Sequence, residues 1–284
     1  MARGRRDTSL GWRGLALAPL AALAGLAETR SAQARMPELS AGTCRVETVR
    51  KEAYTICSFD PETTRFSIRL KGFDGQPYRK LAAATAEHPT VVFAMNGGMY
   101  HDDLAPVGLY VEDGSEGASL KRKRSWGNFG LVPNGVFWVK NGTVGVTETL
   151  AFDRRGVRPD FATQSGPMLV IDGKLHPKFL ETSDSYKIRN GVGVSRDGRV
   201  HFAMSHGAVN FWTFAKLFQE HLETPNALFL DGTVSALRAK GFSRGGFWVS
   251  LGPIILAEPH PLRTAPTRPE PRPEAGSRDD AAGG

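Results

Sequence analysis

Short runs of β-branched and aromatic residues, each bounded by turn residues, recur along the middle of the 284-residue chain. Such runs are typical of β-strands. They predict strands at 65–70, 90–95, 107–112, 136–139, 168–171, 200–204, 227–230 and 247–251. Asp-Gly or Asn-Gly pairs follow at 74–75, 113–114, 134–135, 141–142, 172–173 and 197–198. Because Gly accepts positive φ freely and Asn and Asp tolerate it, we expect most of these pairs to turn hairpins.

Two segments have the spacing of α-helices. Residues 77–87 begin with a proline in the first turn and must end before Pro89. Residues 211–222 carry apolar side chains at three- and four-residue steps, a stripe that we expect to pack in the core. A few helices among many hairpins predict an α+β fold: a single domain of mixed β-sheets with many hairpins and a few packed helices.

The two ends of the chain differ from its middle. Arginines precede the uncharged run Gly14–Ala27, and small residues suit a cleavage site after Ala34, so residues 1–34 have the layout of a secretory signal peptide. An uncleaved signal anchor is the alternative, and it is the only membrane contact that we expect. Residues 258–284 are rich in proline and predict a disordered tail. The expected domain is 43–257, in a periplasmic or secreted protein.

Composition and charge exclude several classes of protein. Forty per cent of residues are hydrophobic and 23% are charged, as in globular proteins, which excludes a disordered or fibrous chain. The formal net charge is +7, but no basic stripe alternates with aromatic residues, so no nucleic-acid partner is expected. The basic cluster at 121–124 is either a solvated loop or a rim that attracts anionic substrates.

Cys44 and Cys57 are the two cysteines of the chain. In an exported protein an even count favours a disulfide. Each cysteine lies in a strand-like run, so a disulfide across an early hairpin is expected. A catalytic cysteine or a zinc site is disfavoured, because oxidising surroundings would disable the thiol and no histidines cluster nearby.

Two apolar strands end in polar loops that are candidates for chemistry. The first ends in Asn96, Gly97 and Gly98, whose glycines allow close approach of a ligand and whose amides could hold an anion. The second ends in Asp231, and a carboxylate at the end of a buried strand suits general acid catalysis. The alternatives are a strained turn at the first loop and a turn cap at the second.

Other polar segments are less specific. Ser165 lacks the preceding glycine that a nucleophile elbow requires, so a serine hydrolase is weakly supported. Arg189 opens another strand; a lone arginine is often structural, yet its guanidinium suits phosphate. Residues 101–103 (His-Asp-Asp) are possible metal ligands at the mouth of the first loop, but such short clusters are common without a metal. We expect neither a metal nor a cofactor.

Seven segments in order resemble the phosphodiester glycosidase family, and in particular its bacterial exported branch. They are 94–100, 106–110, 128–129, 133–137, 163–169, 189–194 and 226–232. The resemblance extends from about Cys44 to Leu256. It implies cleavage of the C1–O bond of a sugar-1-phosphodiester, which gives free sugar and a phosphomonoester.

The resemblance also assigns residues. Residues 96–98 match the Asn-Gly-Gly loop of the family, Arg189 its arginine, 231–232 its Asp-Gly pair, and Ser235 the serine just after. The chain departs from the family at Thr233, where a second glycine is often found, and at 190–191, where Thr-Ala is usual. A different substrate, or lost activity, is therefore an open alternative.

These residues permit a mechanism. Arg189 and the amides of Gly97 and Gly98 would hold the phosphodiester, while Asp231 protonates the leaving oxygen or activates water. A two-carboxylate mechanism needs a partner acid, for which Asp103 and Glu112 are the candidates.

A sugar phosphate or glycan is the expected partner, with substrate contacts from Asn96, Gln164, Ser165 and Ser235. Two other classes stay open: a non-catalytic periplasmic module that binds glycan or anionic polymer, and a metal-dependent phosphodiesterase that cuts P–O.

Overall fold

The protein is described by a computed structural model over residues 43–123, 127–246 and 248–260. All of these residues belong to one compact unit of the chain. The predicted signal peptide and residues 261–284 of the predicted tail lie outside the described residues.

Strands dominate the secondary structure. In chain order, the strands are β1 (Thr43–Val49), β2 (Glu52–Phe59), β3 (Thr64–Arg69), β4 (Phe93–Asn96), β5 (Tyr110–Glu112), β6 (Ser115–Ala118), β7 (Gly135–Lys140), β8 (Thr143–Glu148), β9 (Phe161–Ser165), β10 (Met168–Ile171), β11 (Lys174–Leu175), β12 (Asn190–Val194), β13 (Val200–Ser205), β14 (Asn226–Phe229), β15 (Leu237–Ala239), β16 (Phe242–Arg244) and β17 (Ile254–Pro259). The α-helices are α1 (Leu81–Glu87), α2 (Thr149–Arg155) and α3 (Phe211–Lys216). Short 3-10 helices (Asn128–Gly130 and Gly232–Val234) and a π-helical turn (Leu217–His221) complete the set.

The strands form three sheets. The first has seven strands in the order β1-β2-β13-β12-β14-β10-β11, the second has the order β16-β15-β4-β17-β3, and the third β6-β5-β9-β7-β8. Every pairing among these strands is antiparallel. The α+β prediction with many hairpins is confirmed.

Most of the predicted hairpin turns are present. The pairs at 113–114, 141–142, 172–173 and 197–198 join β5 to β6, β7 to β8, β10 to β11 and β12 to β13. The pair at 74–75 lies in a loop closed by a bridge between Lys71 and Pro77. The pair at 134–135 turns no hairpin, because Gly135 already belongs to β7 and Asn134 is buried beside it.

The last predicted strand is wrong. Residues 248–250 lie outside the strands, and the strand that enters the sheet is β17, further along the chain. β17 pairs with β4 on one side and β3 on the other. Gly245 and Gly246 both have positive φ, which turns the chain out of β16 before this point. Residues 248–250 lie in a loop, where Trp248 is 97% exposed.

Both predicted helices are present with different bounds. α1 begins four residues later than predicted, because Pro77 pairs with Lys71 and Lys80 has an extended backbone. α3 ends at Lys216 and continues as the π-helical turn, and its predicted apolar stripe is buried as expected. None of the helices within the described ranges is long and apolar enough to cross a bilayer.

The core lies where the three sheets meet. Its centre is a cluster of phenylalanines, fully buried and in mutual ring contact: Phe59, Phe66, Phe93, Phe137 and Phe202. Burial of aromatic side chains is a large part of folding free energy. These residues come from strands of all three sheets, so the sheets are held against one another by a shared core.

The predicted disulfide is formed. Cys44 on β1 lies directly opposite Cys57 on β2, with a Cα–Cα distance of 4.0 Å. The bond closes the first hairpin of the fold at the edge of the seven-stranded sheet.

Candidate active site

The ends of interior strands of the first and second sheets come together at one place. Asn96 ends β4, Asn190 begins β12 and Asp231 follows β14. Asn190 Nδ2 donates to Asn96 Oδ1 at 2.6 Å, and Asn96 Nδ2 donates to the Asp231 carbonyl at 2.9 Å. Asn96 thus bonds to residues 94 and 135 positions further along the chain. Two of the predicted site residues, Asn96 and Asp231, are brought together in this way.

Asn96 is fully buried, and its hydrogen bonds lie within the protein. Besides the two contacts above, its Oδ1 accepts from the Ala236 amide at 2.9 Å. The Asp231 amide in turn donates to the Gly97 carbonyl at 3.4 Å. Asn96 therefore fixes the backbone of Asp231, a positioning role where the sequence suggested contact with substrate.

The amides of Gly97 and Gly98, predicted to hold an anion, are already occupied in this structure. Gly97 N donates to the Pro253 carbonyl at 2.7 Å, and Gly98 N donates to Thr163 Oγ1 at 3.0 Å. A Cβ on Gly98 would lie 2.5 Å from Thr163 Oγ1 and would overlap the Gln164 carbonyl. The second glycine is needed for close packing of the loop against β9.

Gln164 has a structural role in this arrangement. Its Oε1 accepts from the amides of Leu109 and Lys121, and its Nε2 donates to the Lys121 carbonyl and to Thr149 Oγ1, at 2.8 to 3.0 Å. Both lone pairs and both N–H groups are used. Gln164 therefore ties the third sheet to its neighbouring loops.

Ser165 and Ser235, two further predicted site residues, differ in their contacts. Ser165 is fully buried and its Oγ has no hydrogen-bond partner in the described structure. Ser235 is 8% exposed, and its Oγ donates to the Gly232 carbonyl at 3.0 Å, which closes the turn after Asp231.

Arg189 is the most unusual side chain of the site. It is 1% exposed, and its guanidinium donates from Nε to the Val209 carbonyl at 2.8 Å and from Nη2 to the Ser185 carbonyl at 2.7 Å. No carboxylate of the described chain forms an ion pair with it. Burial lowers the pKa of Arg189 to about 10, so the group stays charged at neutral pH. A buried, unpaired cation is costly, and such groups mark binding sites.

Aromatic rings support this guanidinium. Its Cζ lies 3.5 Å from the centroid of the Phe211 ring and 5.5 Å from that of Phe229. The ring of Phe179 stacks on that of Phe211, with centroids 5.0 Å apart and an interplanar angle of 7°. The ring of His176 stacks on that of Phe179, with centroids 4.7 Å apart. Cation–π contact stabilises the charge and leaves it uncompensated by an anion of the protein.

The strand register brings Arg189 and Asp231 to the same edge. Gly191 of β12 pairs with Phe229 of β14, and Leu230 N donates to the Asn190 carbonyl, which continues the pairing. Arg189 immediately precedes Asn190 and Asp231 immediately follows Leu230, so the pairing brings their backbones to neighbouring positions.

Tyr100 lies within reach of the negative charge of Asp231. Its hydroxyl donates to the Ser250 carbonyl at 2.7 Å. Burial, and next the negative charge of Asp231, raise the pKa of Tyr100, so the phenol stays protonated. A Cβ on Gly252 would overlap the Tyr100 ring, which fixes the ring against that loop.

The two candidate partner acids differ in position. Asp103 is exposed, lies in the loop closed by the Tyr100–Pro106 bridge, and accepts from the Ala105 amide at 2.9 Å. Glu112 is engaged elsewhere: it forms an ion pair with Arg69 at 3.0 Å and accepts from the Tyr110 hydroxyl. Asp103 therefore keeps an exposed carboxylate on the loop that begins at Tyr100, whereas the carboxylate of Glu112 is engaged by Arg69.

Sequence reasoning missed two groups of the site. In the sequence Asn190 stands out only as a departure from the family pattern, because no local pattern reveals that Asn96, on another sheet, is its partner. Tyr100 lies two residues after Gly98, and an aromatic residue at that place is the signal that could have indicated it. Over residues 43–123, 127–246 and 248–260, no three His, Cys, Asp or Glu side chains group as metal ligands.

Comparisons with known proteins found a matching family model and a curated relative. A model of the phosphodiester glycosidase family matches residues 89–244. The uncharacterized protein YigE of Escherichia coli (strain K12) is 37% identical over 197 residues, which cover 68% of this chain and 76% of that protein.

Two solved structures share the fold. The catalytic domain of zebrafish N-acetylglucosamine-1-phosphodiester alpha-N-acetylglucosaminidase, auto-inhibited by its pro-peptide, has a TM-score of 0.53 and 17% identity, and the match covers 76% of this chain and 81% of that chain. A hypothetical protein from Synechocystis has a TM-score of 0.53 and 13% identity, with 77% and 62% covered.

Proposed function

Since the chain belongs to the phosphodiester glycosidase family, we propose that it hydrolyses a sugar-1-phosphodiester at the C1–O bond. The products are a free sugar and a phosphomonoester of the aglycone. The aglycone is the group esterified to the phosphate on the side away from the sugar.

The observation that carries the proposal is the unpaired charge of Arg189. Its guanidinium is buried among carbonyl oxygens and aromatic rings, and burial alone lowers its pKa. Burying a cation without an anionic partner costs several kcal/mol. This cost is comparable to the whole free energy of unfolding of a typical domain. An anionic substrate supplies the missing partner, and a phosphodiester carries one negative charge.

Asp231 is the group proposed to act on the reacting bond. Asn96 fixes its backbone, and its negative charge contributes to the raised pKa of Tyr100. The C1–O bond breaks with its electron pair leaving on the phosphate oxygen, and a water oxygen bonds to C1. Asp231 either gives a proton to the leaving oxygen or takes one from the water.

Asp103 is the better candidate for a partner carboxylate. It lies on the loop that begins at Tyr100, whereas Glu112 is held by Arg69. The phosphate is a weaker base than an alkoxide, so its departure needs less protonation, and one acid can suffice.

The test is turnover of a panel of sugar-1-phosphodiesters by the purified protein and its variants. Asp231→Asn is expected to lower kcat about a hundredfold or more. Asp172→Asn, in the exposed turn between β10 and β11, is the matched control and should keep the rate of the unchanged protein.

Near-normal turnover by Asp231→Asn would exclude the assigned role. Tight binding of every diester without turnover would favour a non-catalytic binding module. We also propose export to the periplasm or medium, which the Cys44–Cys57 disulfide supports because such bonds persist in oxidising compartments.

A further inference from the structure

Exposed apolar side chains are concentrated on one loop near the site. Loop 176–188 connects β11 to β12 and carries three of the eight large apolar side chains that are exposed in the described chain. They are Leu180 (64% exposed), Tyr186 (57%) and Ile188 (38%). Such residues are common singly on a surface, but a group of them beside a site indicates binding.

Loop 176–188 is held in place by hydrogen bonds. Asn210, itself 1% exposed, donates from Nδ2 to the carbonyls of Glu181 at 2.9 Å and Ser183 at 3.1 Å. Lys187 and Val209 exchange backbone hydrogen bonds at 3.2 and 2.8 Å. The apolar side chains are therefore presented by an ordered backbone, which lowers the entropy cost of binding.

The same loop borders the guanidinium of Arg189. The Ser185 carbonyl accepts from Arg189 Nη2 at 2.7 Å. Phe179, from the beginning of the loop, stacks on Phe211 beneath the guanidinium. A phosphate bound at Arg189 would consequently lie beside this loop.

Electrostatic attraction to a charged partner does not explain the exposed side chains of loop 176–188. Its ionised side chains are two lysines and two acids, Lys178, Lys187, Glu181 and Asp184, which sum to no net charge. A partner that contacts the loop gains chiefly from apolar area.

The order of the groups in the substrate then indicates which group loop 176–188 contacts. The sugar C1 must lie at Asp231 for the proposed reaction, and the phosphate at Arg189. The aglycone is attached through another oxygen of the phosphate, and loop 176–188 lies beside that phosphate, because the Ser185 carbonyl accepts from Arg189 Nη2. We propose that this loop binds an apolar aglycone, an alkyl or acyl chain, so that the substrate is an amphiphilic sugar-1-phosphodiester; this inference rests on the proposed function.

The test uses product analogues, which need no turnover and no knowledge of the sugar. Binding of methyl phosphate and n-hexyl phosphate to the full-length protein is measured by calorimetry. Hexyl phosphate is expected to bind at least about tenfold more tightly, since each methylene that is buried adds affinity. The double variant Leu180→Ser, Tyr186→Ser should lose most of this preference.

Phe73→Ser is the matched control. Phe73 is 81% exposed, but it lies beside His88, before β4, and should leave the preference intact. Equal affinities for the two phosphates, or a preference that survives in the double variant, would overturn the aglycone inference alone. Failure of both phosphates to bind would overturn the phosphate site at Arg189, and with it both proposals. A hexyl preference without diester turnover would support the loop and count against the hydrolase.

Discussion

Replacing Arg189 by methionine tests whether the charge of Arg189 serves function or stability. Burial lowers the pKa of Arg189 from 12.5 to about 10. At about 1.4 kcal/mol per pKa unit, this difference corresponds to roughly 3 kcal/mol against the charged form. Arg189→Met removes this cost and keeps the apolar volume of the stem.

The substitution also removes favourable contacts. The carbonyls of Ser185 and Val209 each lose a donor, at about 1 kcal/mol apiece, and the contact with Phe211 is worth about 1 kcal/mol. These losses offset the relief of roughly 3 kcal/mol. The free energy of unfolding of Arg189→Met should therefore stay within about 1 kcal/mol of that of the unchanged protein, while diester turnover is lost.

Urea denaturation at pH 7 is the assay, and Arg69→Met is the contrasting variant. Arg69 forms ion pairs with Glu112 and Asp113, so its removal leaves a half-buried carboxylate unpaired. We expect Arg69→Met to be clearly the less stable of the two. A loss of about 3–5 kcal/mol in Arg189→Met, the size seen when a buried pair is broken, would refute the reasoning.

Three further outcomes can be measured by denaturation. Gly98→Ala should destabilise by about 1–3 kcal/mol because its Cβ would overlap β9, whereas Gly207→Ala, with no heavy atom nearer than 3.7 Å, should be nearly neutral; equal effects would contradict the packing argument. Burial lowers the pKa of His201 to about 4, so the unfolded chain binds the proton more readily than the folded protein does. The free energy of unfolding should therefore fall by up to about 3 kcal/mol as the pH drops from about 6.5 to 4. The variant His201→Gln should lack this part of the pH dependence. Reduction of the Cys44–Cys57 disulfide should lower the free energy of unfolding by about 3 kcal/mol, and an unchanged urea midpoint with reductant would contradict this.

Features set by local sequence could be predicted. Four of the six Asp-Gly or Asn-Gly pairs turn hairpins, because positive φ is required there whatever the rest of the fold does. The apolar stripe of α3 is buried as its periodicity indicated. The last strand was predicted at the wrong place because β17 forms by pairing with β3 and β4, and no local pattern reveals these partners.

The candidate site was predictable only in part. Apolar strands ending in polar residues located Asn96 and Asp231 correctly at one edge. The partners of the glycine amides could not be foreseen, since Gly98 bonds to Thr163 on another sheet, 65 residues away. The support of Arg189 by stacked rings likewise depends on α3 and loop 176–188 folding over the sheet.

The position of bond cleavage tests the central claim most directly. A sugar-1-phosphodiester that the protein turns over is incubated with it in oxygen-18 water, and the products are weighed by mass spectrometry. The account predicts the label in the sugar, because water attacks C1 while Arg189 holds the departing phosphate. Label in the phosphomonoester would contradict it and would indicate phosphoryl chemistry.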